Sequence, residues 1–478
     1  MTNLTVPMPM TDHFAVPPPP PQPPGSKRLG KVMSLAMVVG TIIGSGIYVL
    51  PATVAPFGRN ILIAFAITII GTISLALAMA RLAKKLPGGP YSYIAVAFGD
   101  TAAFLTMWSY LISQWTGVAA VAIAAAGALG HVFPAIASGP PLAAVAIGSI
   151  IVLTAVNLTG ARSAGMVQVV ATLIKIVPLV LVVLLVVLRL GSGQPLEPLA
   201  PAPITIAGIA SAAALMLFAF TGFESAAVSA NVTDHASDVV PAATINGTIF
   251  VAAMYLAATV AVLWLLPAAI AGASGSPFAD AISPALGPIA GAFVAVVAAI
   301  SGLGAGNALI LLSAEVARSI ANAGDLPPAF ARTNKVGISP ISVLAAAIVA
   351  ILLVLASISD SFVEVFTFVA LISAVSALLL YLVCALAAWK LRAEKPLLAG
   401  IAILYAIAMF FGAGLEATLW GLGLALAGLP IRWLSRRFSS VEPNPATAPV
   451  PAAPREYAGV ISARSCAGRR RSSQAVQR

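Results

Sequence analysis

Gly40-Thr41-Ile42-Ile43-Gly44-Ser45-Gly46-Ile47 lies inside the first long apolar run of the chain, and Phe218-Ala219-Phe220-Thr221-Gly222-Phe223-Glu224-Ser225 lies inside the sixth. An α-helix needs about twenty apolar residues to cross a bilayer core, and both runs meet that length. Both are interrupted. Three glycines within seven residues weaken the first helix, and a glycine beside a carboxylate breaks the sixth. In hydrocarbon a broken backbone survives only where it is buried or lines a cavity. Interrupted segments at matching places in two five-span halves point to a site near the membrane midplane. Amides freed at a half-helix N-terminus attract an anionic group such as an α-carboxylate, and freed carbonyls accept from an α-ammonium. A zwitterion is the natural ligand for such a pair of breaks. Close helix packing is the competing reading of Gly40 and Gly44, small residues four apart. Packing alone gives no reason for the glutamate in the partner segment.

The rest of the chain agrees with a membrane setting. Of its 478 residues 60% are hydrophobic and only 8% charged, against roughly 25% charged in a soluble domain. Twelve apolar runs are expected to form spans, at 32–56, 60–80, 100–130, 140–158, 164–188, 204–230, 241–266, 287–320, 339–358, 362–389, 397–413 and 415–434. Short alternating segments of the β-barrel kind are missing from the sequence. The fold class is therefore an all-α integral membrane protein of about twelve transmembrane helices. Residues 1–26, with Pro17 to Pro21, read as a disordered tail, residues 27–438 as the membrane domain, and residues 439–478 as a second disordered tail. The N-terminus lacks a charged stretch followed by an apolar one, so no cleaved signal peptide is expected.

Lys and Arg set the orientation. With the N-terminus inside, inner connections carry Arg81, Lys84 and Lys85, then Arg162, then Arg332 and Lys335, then Lys390, Arg392 and Lys395. Lys27, Arg28 and Lys31 precede the first span, and Arg432, Arg436 and Arg437 follow the last; outer connections carry only Arg59 and Arg189. The reading is a multi-pass protein of the inner membrane with both termini cytoplasmic. The connection around Asp234, His235 and Asp238 is acidic, but acidic residues weigh little in this rule. The net charge of +10 lies mostly in connections and tails. It points to topology and the lipid surface, and Arg469 to Arg471 read as a solvated tail, not a nucleic-acid site. Cys384 and Cys466 offer no disulfide, and His13, His131 and His235 are scattered. Neither a metal site nor a cofactor is expected.

Three ionisable groups stand inside spans: Lys175 in the fifth, Glu224 in the sixth and Glu315 in the eighth. A charge at bilayer depth costs at least roughly 2.5–3.5 kcal/mol, so each needs a partner, a cavity or neutralisation. Glu315 precedes Arg318 by three residues, the spacing of a structural helical pair. Lys175 is too central to snorkel easily. Glu224 lacks a charged helical neighbour, which makes it the candidate for proton or cation work.

These residues resemble the amino acid–polyamine–organocation superfamily. Gly44-Ser45-Gly46 is similar to the first-span break of its basic amino acid/polyamine antiporter branch. Pro87-Gly88-Gly89-Pro90-Tyr91-Ser92-Tyr93 resembles the loop before span three, and Gly222-Phe223-Glu224-Ser225 with Pro241-Ala242-Ala243-Thr244 the sixth-span motif and its exit. Gly324-Asp325-Leu326-Pro327-Pro328-Ala329-Phe330-Ala331-Arg332 resembles the amphipathic connection after span eight. The resemblance runs from about residue 28 to 390. It implies a five-plus-five inverted repeat with discontinuous helices one and six, two extra helices and alternating access. It implies Ile42, Gly44, Ser45 and Gly46 at the substrate carboxylate, with Thr221 and Gly222 in the same pocket. It sets Phe218 where arginine/agmatine antiporters hold a gating tryptophan. It implies Tyr110 and Glu224 as inner-gate tyrosine and pH-linked glutamate, with Tyr381 completing the gate and Ser373 close by. Departures matter too. Leu309 stands for a second aromatic and Val118 for an asparagine. A lost cation–π contact, worth roughly 0.5–2 kcal/mol, argues against faithful arginine/agmatine exchange and for a neutral amino acid. Lys175 resembles the lysine of sodium-independent, proton-coupled permeases, where related folds bind sodium. The superfamily includes monomers and homodimers, and both stay open here.

The first functional reading is an amino acid permease working as exchanger or proton symporter. The second is strict antiport of an amino acid against its decarboxylation product, of the arginine/agmatine or polyamine kind. A membrane enzyme would need clustered acid, base, nucleophile or metal groups. A channel would need repeated polar rings. Neither pattern stands in the sequence.

Overall fold

The computed structural model describes residues 31–86, 89–159, 165–224, 236–335, 337–356 and 361–438. The two expected tails, Lys27, Arg28, Pro87, Gly88, Arg162, Ser225, Asp234 and His235 lie outside them. Seventeen α-helices follow one another among the described residues: α1 (Lys31–Ile42), α2 (Gly46–Val54), α3 (Asn60–Lys85), α4 (Gly89–Phe98), α5 (Asp100–Gly130), α6 (Gly139–Leu158), α7 (Gly165–Gly191), α8 (Ile206–Phe220), α9 (Ala236–Leu265), α10 (Ala268–Ala273), α11 (Pro277–Leu286), α12 (Pro288–Asn322), α13 (Pro340–Ala356), α14 (Phe362–Lys390), α15 (Pro396–Gly412), α16 (Leu415–Leu426) and α17 (Gly428–Phe438). No strand occurs among the described residues.

Among the described residues nine segments are long and apolar enough to cross a membrane, taking α1 with α2 and α16 with α17 as one each; the shorter apolar helices α8, α13 and α15 bring the total to twelve. Local chemistry starts several of them. Thr205 accepts from the Gly208 amide at 3.0 Å and caps α8. Ser361 and Glu364 form a reciprocal box at the start of α14. Each satisfies amides that no intrahelical carbonyl reaches.

α5 has 31 residues and is buried without a gap from Thr106 to Ala128. At 1.5 Å per residue it is about 46 Å long, more than the roughly 30 Å hydrocarbon core, which fits a tilted central helix. It packs along α12 and α14, and the broken helices α1–α2 and α8 meet beside it.

The first span is two helices, as the discontinuous reading expected. Other features depart from the expectation. The last span is divided at Ala427. The loop before span three is the helix α4, and two unexpected helices, α10 and α11, bridge spans seven and eight. Among its described residues the connection after span eight holds a 3-10 turn, Pro328–Phe330, and no α-helix. Arg432, expected as a charge beyond the last span, is 6% exposed within α17. The cause is Asp325, fully buried, which accepts from Arg432 Nε and Arg436 Nε, both at 2.8 Å, and from the Tyr91 hydroxyl at 2.8 Å. Arg432 also donates to Thr101 Oγ1 and lies over the Phe104 ring. Burial pushes the Tyr91 phenol above its ordinary value, with the Asp325 carboxylate next, so it stays a donor. At the same end Arg81 pairs with Glu394, and Lys390 donates to the Ala97 carbonyl at 2.6 Å. Basic residues that read as topology signals thus also tie helix ends together.

At the opposite end of α5, His131 Nδ1 stands 2.9 Å from Asp280 of α11, and Ser274 donates to the other Asp280 oxygen. Phe278 of α11 meets Tyr48 of α2 edge-on at 5.3 Å between centroids. α10 and α11 therefore both pack against α2, the second half of the first span.

Candidate functional site

α1 stops at Ile42 and α2 starts at Gly46. Between them the Gly44 amide turns back to the Ile42 carbonyl at 2.8 Å. The carbonyls freed by the break are met by side chains from three spans. Lys175 Nζ donates to Gly40 O at 3.2 Å and Ile43 O at 3.0 Å. The Tyr255 hydroxyl donates to Ile42 O at 2.7 Å, and Ser301 Oγ to Gly44 O at 3.1 Å. Tyr48, from α2 itself, donates to the Lys175 carbonyl at 2.6 Å and braces the lysine's own helix. Lys175 is 7% exposed, and the two carbonyls compensate its ammonium at depth. The first amides of α2 have no intrahelical acceptor. Beside them Ser45 Oγ is buried with no hydrogen-bond partner among the described residues.

The sixth span ends its first helix at Phe220. Thr221 turns extended, and Gly222 takes φ +113°, a conformation that L side chains rarely adopt. The two breaks press together here. A Cβ on Gly222 would stand 2.9 Å from the Thr41 carbonyl oxygen, and one on Gly46 would stand 3.0 Å from Ala219 Cα. Thr41 Oγ1 reaches the Gly222 carbonyl at 3.3 Å. The Gly222 amide donates to Glu224 Oε2 at 3.0 Å, and the Tyr110 hydroxyl to Glu224 Oε1 at 2.9 Å. Glu224 is thereby held by its own turn and by α5. Tyr381 packs its ring on Phe223 at 4.9 Å, and its hydroxyl has no partner that meets hydrogen-bond geometry among the described residues.

A second group lies along α5. A Cβ on Gly117 would touch Leu309 Cδ1 at 3.2 Å and Ser373 Oγ at 3.4 Å. Ser373 Oγ donates to the Ser113 carbonyl at 2.8 Å. Phe218 meets Phe366 edge-on at 5.7 Å, and Val118 is fully buried. Ile42, Gly44, Ser45, Gly46, Phe218, Thr221, Gly222, Glu224 and Tyr110 thus gather around the paired breaks. Leu309 and Ser373 gather on the neighbouring wall. Lys175 sits behind the first-span break and does not bond Glu224. Glu315 pairs with Arg318 at 2.5 Å, as the i,i+3 spacing predicts. Sequence reasoning missed Tyr48, Tyr255 and Ser301. Their signal was a hydroxyl inside an apolar run, which many membrane helices carry without such a role.

A family model described as amino acid permease matches residues 29–415. The chain belongs to the amino acid permease family. Among its relatives is the cadaverine/lysine antiporter of Escherichia coli strain K12, 31% identical over 329 residues, 68% of this chain and 73% of that protein. Another is the putrescine transporter PotE of the same strain, 26% identical over 427 residues, 84% of this chain and 96% of that protein. The permease match spans both breaks, every residue of the paired site and the wall formed by Leu309 and Ser373.

Proposed function

We propose that this permease moves amino acids across the inner membrane by alternating access, as an exchanger or proton symporter that does not use sodium. Family membership gives the coarse activity, secondary transport of a small amino acid or amine. The observation that most supports the finer reading is the contact of the two breaks, with Ser45 Oγ buried and unpartnered beside the free amides of α2. A substrate α-carboxylate satisfies both at once. The α-ammonium then meets the end of α8, where Phe218 and Thr221 line the pocket. Lys175 supports sodium independence, because its ammonium already occupies the carbonyls of Gly40 and Ile43. Glu224, bonded to Tyr110 and close to Tyr381, is the proposed proton-linked group at the inner gate. The Lys and Arg distribution supports cytoplasmic termini.

Strict antiport of an amino acid against its decarboxylated amine is the second reading, favoured by the likeness to the cadaverine/lysine antiporter. Leu309 and Val118 weigh against the arginine/agmatine form of it. Proteoliposomes decide between them. Labelled amino acids are offered with and without internal substrate, with and without an inward proton gradient, in sodium and in choline. Uptake only into loaded vesicles establishes antiport. Uptake into empty vesicles driven by protons establishes symport. A strict sodium requirement, or no uptake under any condition, refutes the proposal.

A further inference from the structure

Gln114 of α5 takes part in nothing described above, yet it is 3% exposed and its Oε1 has no hydrogen-bond partner among the described residues. Helix geometry gives its direction. Tyr110, one turn earlier, reaches Glu224 of the sixth span. Gly117, three residues later, faces Leu309 and Ser373, and Val121 faces Gly302 and Gly306 of α12. Positions 110, 114, 117 and 121 fall on one stripe of a helix with 3.6 residues per turn. Gln114 therefore faces the space between the sixth-span break and the eighth span. Ser45 borders the same region, since a Cβ on Gly302 would lie 3.1 Å from Ser45 Cβ and 3.1 Å from the Val121 carbonyl.

Which end of the carboxamide is free also follows. The Tyr110 hydroxyl gives its proton to Glu224, so toward Gln114, which lies alongside it, it can only accept. Nε2 is then the end that can bond the Tyr110 oxygen, and Oε1 is left over. The neighbouring walls are apolar: Val118, Leu309 and Phe218. A buried amide oxygen without a donor is costly, and a substrate group that donates to it removes that cost.

We propose that Gln114 selects the substrate side chain, its Oε1 accepting from an N–H donor at the tip. Side chains that end in an ammonium or a carboxamide are then preferred over hydrocarbon or thioether chains of similar length. This inference rests on the transport reading above. Competition for uptake by lysine, glutamine, norleucine and methionine in proteoliposomes tests it. The better of the two donor substrates should outcompete norleucine by at least about tenfold, because a site built around a polar group rejects the analogue that leaves it unpaired. Lysine ahead of glutamine identifies the ammonium as the donor, and glutamine ahead of lysine identifies the carboxamide. Gln114→Leu should bring the ratio to norleucine close to one while norleucine uptake persists. Gln114→Met serves the same purpose if the leucine variant does not fold. An unchanged ratio in a well-expressed variant overturns the role of Gln114 alone. Norleucine as the best wild-type competitor does the same. No uptake of any substrate overturns the transport reading together with it.

Discussion

Gly222→Ala is the sharpest test of the paired breaks. At φ +113° an alanine is strained whatever space surrounds it, at a cost of about 1–3 kcal/mol. Its Cβ would also stand 2.9 Å from the Thr41 oxygen, 3.0 Å from the Thr41 carbonyl carbon and 3.2 Å from the Ile42 nitrogen. All three are backbone atoms, which cannot swing aside as a side chain does. Overpacking of this kind adds about 1–3 kcal/mol. The sum, about 2–6 kcal/mol, corresponds to a factor of about 30 or more in the population of the closed pair of breaks. The comparison is Gly423→Ala in α16, where nothing lies within 4 Å of an added Cβ and which should leave stability unchanged or raised. The assay is thermal stability by size-exclusion chromatography of the detergent-solubilised protein, together with substrate affinity. Gly222→Ala should melt well below wild type and bind weakly, and Gly423→Ala should do neither. Wild-type melting and affinity in Gly222→Ala would refute the claim that the two breaks bear on each other.

Glu224→Gln should alter the pH profile of transport while the protein folds normally, since Gln keeps the volume and can still accept from Tyr110; an unchanged profile in a well-expressed variant removes Glu224 as the coupling group. Lys175→Met removes the ammonium donor from the carbonyls of Gly40 and Ile43, of which Ile43 keeps only the longer Ser301 Oγ contact at 3.4 Å, and transport should fall by at least tenfold, about 1.4 kcal/mol; full activity would show that the ammonium is dispensable. His131→Ala should raise amide exchange across residues 274–283 by a local loss of about 1–3 kcal/mol, because Asp280 then keeps only Ser274 among its described side-chain partners; unchanged protection would show that the imidazole does not hold that segment.

Much of the architecture was legible because a bilayer imposes a length. The runs at 100–130, 362–389 and 397–413 became α5, α14 and α15 within about one residue, aided by Asp100, the Ser361–Glu364 box and Pro396. The Glu315–Arg318 pair was legible because both partners share one helix face. Arg432 was misread because its partner Asp325 lies 107 positions away, and no periodicity connects them. The same holds for Tyr255 and Ile42, 213 positions apart. α4, α10 and α11 escaped because helices of 6–10 residues show too little pattern to separate from a connection. The break itself was visible as glycine density. What braces it was not, since single hydroxyls in apolar runs carry no address.

The central claim is that substrate binds at the first-span break, where Ser45 is 1% exposed and its hydroxyl has no partner among the described residues. Equilibrium binding of the best substrate to purified wild type and to Ser45→Leu tests it most directly. The account predicts saturable binding to wild type and none to Ser45→Leu, whose side chain would fill the break. Equal affinity in a folded Ser45→Leu would place the substrate elsewhere and contradict the account.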